Sequence, residues 1–228
     1  MRKRPTCIRI AKEEDLHKSI EPREFYAIDW LIDLIDEIKP DALISAGDWD
    51  EYVTPNDMHE VISRTALFTI YGNHENFGLI KRYAISDGSI HVVKGLRVSG
   101  VNGLIGEEEG EYIISVDRFM KVIERVKRRV GRPDIFIMHQ PPYLPDQYPW
   151  MRRDRYSEVA LEEINILKPR LLLNGHMTGS CYNYGKYEWG TYLRVDSSQR
   201  YRCYAVLTIS DARIRVFNDN EEVLAFNI

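Results

Sequence analysis

The chain has 228 residues, 44% of them apolar, which is enough for a sizeable core, and we expect residues 1–228 to form one domain. Its formal net charge of −4 excludes an overall positive field that would attract nucleic acid or anionic membrane irrespective of sequence. The three cysteines are widely spaced and fit neither a disulfide framework nor a zinc knuckle. No apolar run resembles a signal peptide or a membrane span. We therefore predict a cytoplasmic protein.

Two segments have the periodicity of amphipathic helices. The first covers residues 23–38, where apolar side chains recur at helical spacing and Pro40 follows the end. The second covers residues 117–130, which carry an apolar stripe on one face and Arg and Lys residues on the other. We interpret that basic face as an ordinary solvated surface.

Short apolar runs alternate with helical patterns through the first three quarters of the chain. This order predicts a mostly parallel sheet covered by helices. From Tyr187 onward the runs alternate polar with apolar or aromatic residues across short turns, which predicts antiparallel strands.

Several of the predicted strands end in side chains that can bind a metal ion. The four clearest strands end in Asp48, in Asn73 and His74, in His139, and in His176. A fifth segment ends in Asp15 and His17, although its charged approach makes it a poorer strand. In an open α/β sheet, ligands bind beyond the carboxyl ends of the strands, so these side chains are expected to converge.

The donor types indicate what such a site would hold. Imidazole nitrogens and carboxylate oxygens together suit Mn, Fe, Zn or Co. More than four ligands, with one carboxylate able to bridge, indicate two ions about 3.5 to 4 Å apart. Singly, each position has a simpler interpretation, because Asp48 could cap a turn and His139 or His176 could be a satisfied core histidine. All the positions together favour the metal site.

Five motifs in order resemble those of the calcineurin-like metallophosphoesterase superfamily. They are DLH (15–17), GD (47–48), GNHE (72–75), HQPP (139–142) and GH (175–176). The resemblance implies an α/β fold, a four-layer sandwich of two central mixed β-sheets flanked by helices, with a metal pair at the strand ends. It also implies hydrolysis of a phosphate mono- or diester by a metal-bound hydroxide.

The resemblance assigns a role to each matching residue. Asp15 and His17 would bind the first ion, Asp48 would bridge, and the second ion would be bound by Asn73, His139 and His176. His74 would not be a ligand and would instead assist the leaving group. Glu51, with Asp50 as its rival, would orient His74. The expected cofactors are two divalent ions, Mn or Fe first, with Zn, Co or Ni as alternatives.

The chain departs from the family pattern at the first ion. The family reads G-H-x-H where this chain reads GHMT, so Thr178 replaces a first-metal ligand. A neutral hydroxyl is a poor substitute for imidazole, which predicts a weak first site, with Cys181 the only soft ligand nearby. This departure supports an alternative: a degenerate, non-catalytic protein that binds metal or a phospholigand.

One loop bears on the substrate. Residues 141–157 follow His139 and interleave aromatic side chains with arginines, among them Tyr143, Trp150, Arg152 and Arg153. Aromatic faces and guanidinium groups suit a base and a phosphate, which favours a phosphate ester such as a nucleotide and leaves a nucleic-acid end open. The other interpretation is a packed loop or a contact in a homo-oligomer. No membrane partner is expected.

Overall fold

The computed structural model describes residues 27–197 and 201–228, and in them the fold is mixed α/β. The helices are α1 (Ala27–Ile38), α2 (Pro55–Ile62), α3 (Phe77–Ile80), α4 (Val116–Val130) and α5 (Arg155–Leu167). The strands are β1 (Ala42–Ser45), β2 (Ala66–Thr69), β3 (His91–Val93), β4 (Leu96–Val101), β5 (Leu104–Gly106), β6 (Ile113–Ser115), β7 (Ile135–Met138), β8 (Leu171–Asn174), β9 (Tyr182–Tyr187), β10 (Gly190–Val195), β11 (Cys203–Thr208), β12 (Arg213–Asn218) and β13 (Glu221–Asn227). None of the helices in these residues is long and apolar enough to cross a membrane.

The strands form several sheets, which confirms the predicted mixed α/β class. The largest has the order β3-β4-β7-β8-β10-β9, with a parallel centre and antiparallel edge strands. A parallel pair, β1 and β2, precedes it in the chain, β5 and β6 form a second short parallel pair, and β11 to β13 form an antiparallel sheet.

One predicted strand direction is wrong in part. Residues 187–198 were expected among antiparallel strands, but β10 pairs antiparallel with β9 and parallel with β8. The reason is its position between these two strands in the sheet, which gives it one partner of each direction. The alternation of residue types reports which face is buried and does not report the direction of the neighbour.

Helix α4 shows how the amphipathic pattern builds the core. Its apolar stripe is buried, with Phe119, Ile123 and Val126 each 0% exposed. Ser115 caps the start of the helix, where its Oγ accepts the N–H of Arg118, and Gly131 caps the end, where a φ of 68° favours glycine. The predicted helix is confirmed. The predicted helix at residues 23–38 is confirmed from Ala27 onward, and its first residues lie outside the described part of the chain.

The sheet register brings the ends of the site strands together. Ser45 at the end of β1 is level with Thr69 at the end of β2, and Met138 of β7 is level with Asn174 of β8. The two pairs are joined across their ends, because a ring nitrogen of His139 lies 2.7 Å from the carbonyl oxygen of Ala46. Four loops that are distant in sequence therefore meet at one edge.

The cysteine prediction is corrected by a disulfide between Cys181 and Cys203. The bond joins the segments before β9 and at the start of β11, where backbone hydrogen bonds run from Asp196 N–H to Cys181 O and from Cys203 N–H to Asp196 O. Sequence spacing alone could not show that these segments are neighbours. Cys181 is therefore not the soft metal ligand considered above, and the cysteines give no argument for a reducing compartment.

We expect the disulfide to contribute about 3 kcal/mol to the free energy of unfolding, because it closes a loop with a sequence separation of 22 residues. Urea unfolding of the double variant Cys181→Ser/Cys203→Ser should show this loss, and reduction of the wild type should reproduce it. Addition of reductant to the double variant is the control and should leave its unfolding curve unchanged. Equal unfolding curves for oxidised and reduced wild type would contradict the prediction.

Candidate metal centre

Four side chains at the strand ends meet around the amide oxygen of Asn73. Asn73 Oδ1 lies 3.1 Å from Nε2 of His139 and 3.0 Å from Nδ1 of His176. Asp48 Oδ1 lies 3.3 Å from the same nitrogen of His139. The two imidazole rings are 5.2 Å apart, centroid to centroid, and nearly perpendicular. Three contacts thus link the four side chains in the order Asp48, His139, Asn73, His176.

Asp48 also organises the loop after β2. Its Oδ1 accepts the backbone N–H groups of Asn73 and His74, each at 3.0 Å. Partial burial raises the pKa of Asp48, but the hydrogen bond and charge of His139, together with the backbone N–H and charge of His74, outweigh this and lower the pKa overall. The carboxylate is therefore ionised at neutral pH and can bind a cation.

The imidazole of His176 is held in its neutral form, in contrast to the ionised Asp48. Loss of solvent around the ring, followed by the neighbouring His139, lowers the pKa of His176, although part of the residue is exposed. A neutral imidazole keeps a lone pair free for a metal ion.

Two glycines allow these side chains to approach. A Cβ on Gly72 would lie 2.2 Å from Asp48 Oδ1 and 2.4 Å from Cε1 of His139. A Cβ on Gly175 would lie 2.6 Å from Nδ1 of His139. The site residues Asp48 and His176 themselves have positive φ angles of 60° and 63°, which non-glycine residues adopt only at a cost.

Glu75 is a site residue to which the sequence reasoning gave no role. Its side chain is buried, 4% exposed, and its carboxylate accepts the N–H groups of Asp48 at 2.7 Å, Gly72 at 2.9 Å and Trp49 at 3.0 Å. Burial raises the pKa of Glu75 to about 7, against the lowering effect of these three donors. Glu75 therefore holds the loops after β1 and β2 together. The only signal in the sequence is its place as the last letter of GNHE.

His74 and its predicted partner are exposed. The backbone oxygen of His74 accepts the N–H of Asp50 at 3.0 Å, and Oδ1 of Asp50 accepts the N–H of Tyr52. Glu51 is exposed, and no hydrogen bond joins its carboxylate to His74 within the described ranges. The orienting role of Glu51 therefore stays a prediction.

The predicted first-metal ligands Asp15 and His17 lie outside the described residues. Among residues 27–197 and 201–228, no group of three or more His, Cys, Asp and Glu side chains has the arrangement of a metal site. The fourth donor of the cluster around Asn73 is an amide oxygen, and it lies between the two imidazole nitrogens. Two imidazoles, a carboxylate and an amide oxygen still fit a borderline divalent ion by their chemistry.

The predicted substrate loop places two of its four residues beside the cluster. Trp150 and Arg152 border a cavity of about 420 Å³ that His176 also lines. Arg153 instead pairs with Glu158. Tyr143 is half-buried, and its backbone N–H is bonded within the fold.

Gly72→Ala is expected to disrupt the centre, because the new methyl group would overlap Asp48 and His139. We expect a loss of about 1 to 3 kcal/mol in the free energy of unfolding and at least a tenfold weaker affinity for Mn²⁺. Urea unfolding and Mn²⁺ titration would measure both effects. Gly78→Ala is the matched control, since its Cβ would come no closer than 3.7 Å to Asn76, and it should behave like the wild type. Equal Mn²⁺ affinity in the two variants would contradict the expectation.

Comparison with known proteins gives two findings. The family model for the calcineurin-like phosphoesterase matches residues 15–178. A solved crystal structure matches with a TM-score of 0.56 over 90% of this chain and 95% of the other, at 14% sequence identity, which is a likeness of fold alone. No curated protein matches the chain significantly.

Proposed function

Because the chain belongs to the calcineurin-like phosphoesterase family, we propose that it is a metal-dependent hydrolase of phosphate mono- or diesters. The family supports phosphoester hydrolysis in general. The observation that carries the proposal for this chain is the convergence of Asp48, Asn73, His139 and His176 from four separate strand ends.

Each of these residues has a part in holding the cofactor. His139, His176 and Asn73 would bind one ion, and the ionised Asp48 would bridge to a second ion held by Asp15 and His17. When bound, two divalent ions polarise phosphate oxygens and supply a deprotonated water as nucleophile at neutral pH. Mn or Fe is the expected metal, with Zn, Co and Ni as alternatives.

The other site residues position the substrate and move a proton. His74 follows a ligand directly and is exposed, so it can reach a bound ester and donate a proton to the leaving oxygen. Glu75 fixes the backbone on both sides of the site through its three N–H bonds. These bonds keep Asp48 and Asn73 in place while the reaction proceeds.

Thr178 supports a second candidate function. It stands where the family pattern has a histidine, which favours a weak first site or a protein that binds a phospholigand without turnover.

The predicted cytoplasmic location also stays a prediction. The Cys181–Cys203 disulfide weighs against it, since thiols in the cytosol are generally kept reduced.

The proposed function can be tested by removing and restoring the metal. Protein treated with a chelator should hydrolyse chromogenic phosphate mono- and diesters only after Mn²⁺ is added, because the nucleophile depends on the metal. The ratio of diester to monoester activity then defines the substrate class. Hydrolysis that is insensitive to the chelator would count against the proposal, and Mn²⁺ binding without hydrolysis would favour the second candidate.

A further inference from the structure

The cavity of about 420 Å³ beside His176 lies at the edge of the candidate metal centre. Its walls come from β5 and β6, from the segment after β7, and from the start of α5. A cavity of this size is large enough for a small organic ligand. A phosphate bound near His176 would have its organic group at the mouth of this cavity.

The surface inside the cavity is largely apolar. Two of the polar side chains that line it are already engaged, since Gln140 Oε1 accepts the N–H of Ile105 at 2.7 Å and Asp154 caps the first turn of α5. The lining therefore favours a ligand group with a large apolar face. Its apolar side chains are Leu104, Ile105, Ile113, Trp150, Met151 and Met177.

Trp150 presents an aromatic ring at this cavity and is 64% exposed. The ring lies beside Gly179, where a Cβ would come 3.7 Å from the indole, and forms an edge-type contact with Tyr148 at a centroid distance of 6.0 Å. A large exposed aromatic face is suited to stacking with a planar ligand.

Arg152 contributes a guanidinium group to the lining, which also contains the carboxylate of Asp154. It forms no ion pair with the carboxylates of residues 27–197 and 201–228, whereas the next residue, Arg153, is paired with Glu158. A guanidinium group at this position can bind a phosphate oxygen or stack on a ring.

We propose that this cavity binds the organic group of the phosphate ester, and that this group is a planar aromatic ring system such as a nucleobase. The inference rests on the proposed function, because it needs the phosphate to lie at His176. The apolar lining and the exposed face of Trp150 favour the ring, and Arg152 lines the same cavity as His176, where a guanidinium group can bind a phosphate oxygen.

A pair of substrates with the same reacting bond tests the inference. Adenosine 5′-monophosphate and ribose 5-phosphate share the phosphate and the leaving oxygen, and only the first carries a base. With Mn²⁺ present, kcat/KM should be about tenfold or more higher for the nucleotide, mainly through a lower KM, because base stacking adds to binding.

Variants of Trp150 show whether the cavity is responsible. Trp150→Ala should bring the two kcat/KM values to within about threefold of each other, and Trp150→Phe should retain most of the preference, since it keeps an aromatic face. Equal kcat/KM values in the wild type would overturn the inference. A preference that survives in Trp150→Ala would also overturn it.

Binding measurements separate this inference from the proposed function. Calorimetric titration with the two compounds requires no turnover, so it reports on the cavity even if neither compound is hydrolysed. If the Kd for the nucleotide is about tenfold lower than that for ribose 5-phosphate, and this difference depends on Trp150, the inference is supported. Absence of hydrolysis in the same protein would count only against the proposed enzymatic function. Equal Kd values would overturn the inference and leave any observed hydrolysis to support the proposed function.

Discussion

Asp48→Ala is expected to lose bound metal and hydrolytic activity together. The carboxylate is ionised, lies 3.3 Å from Nε2 of His139, and is the only carboxylate among the four converging side chains of the centre. Because metal ions contribute several kcal/mol to a phosphoester transition state, activity should fall by about 1,000-fold or more. Metal content by mass spectrometry and hydrolysis of a chromogenic ester would measure the two losses.

The variant also removes a structural contact, so it needs a matched control. Asp48 Oδ1 accepts the N–H groups of Asn73 and His74, and Asp48→Asn keeps an oxygen at that position while it removes the charge. If charge is what the metal needs, Asp48→Asn should also lose metal, although its thermal unfolding stays close to that of the wild type. Full metal content in Asp48→Asn would show that the carboxylate acts only on the loop. Unchanged activity in both variants would point to a contaminating phosphatase.

His74→Ala is expected to keep the metal and to lose rate. His74 contributes its backbone N–H to Asp48, and this contact survives the substitution. The side chain is exposed beside the cluster and is proposed to donate a proton to the leaving oxygen, so its loss should lower kcat by about 100-fold or more. Metal analysis and steady-state kinetics would separate the two effects.

The choice of leaving group sharpens this test. A nitrophenolate leaves without much help from a proton, whereas an alkoxide needs one. His74→Ala should therefore lose less activity on a nitrophenyl ester than on an alkyl ester. His59→Ala, which changes an exposed histidine on α2, is the control and should match the wild type on both. An equal loss on both esters in His74→Ala would contradict a role as general acid.

The meeting of the four cluster residues can be predicted from the sequence because each follows the end of a predicted strand. In parallel strands, the carboxyl ends lie at one edge, so a polar side chain after each apolar run must reach the same region. Asp48, Asn73, His139 and His176 follow this rule, and the structure brings all four together. Their roles as metal ligands remain part of the proposal.

Other features could not be predicted, because they depend on contacts between distant segments. The Cys181–Cys203 disulfide requires the start of β9 to lie beside that of β11, and no periodicity reports this. The role of Glu75 cannot be inferred from the sequence, because its partners are backbone N–H groups, which every residue other than proline has. The parallel neighbour of β10 follows from strand order and not from residue type.

The backbone is left-handed at both Asp48 and His176. Glycine adopts these φ angles freely, so replacement of either residue by glycine would relieve local strain even as it deleted a donor atom. A mutant library sorted only for heat resistance would therefore tend to accumulate glycine at position 176, whereas Asp48 also accepts the N–H groups of Asn73 and His74 and contributes to folding. Retention of His176 requires a selection that screens for chemistry as well as for folding.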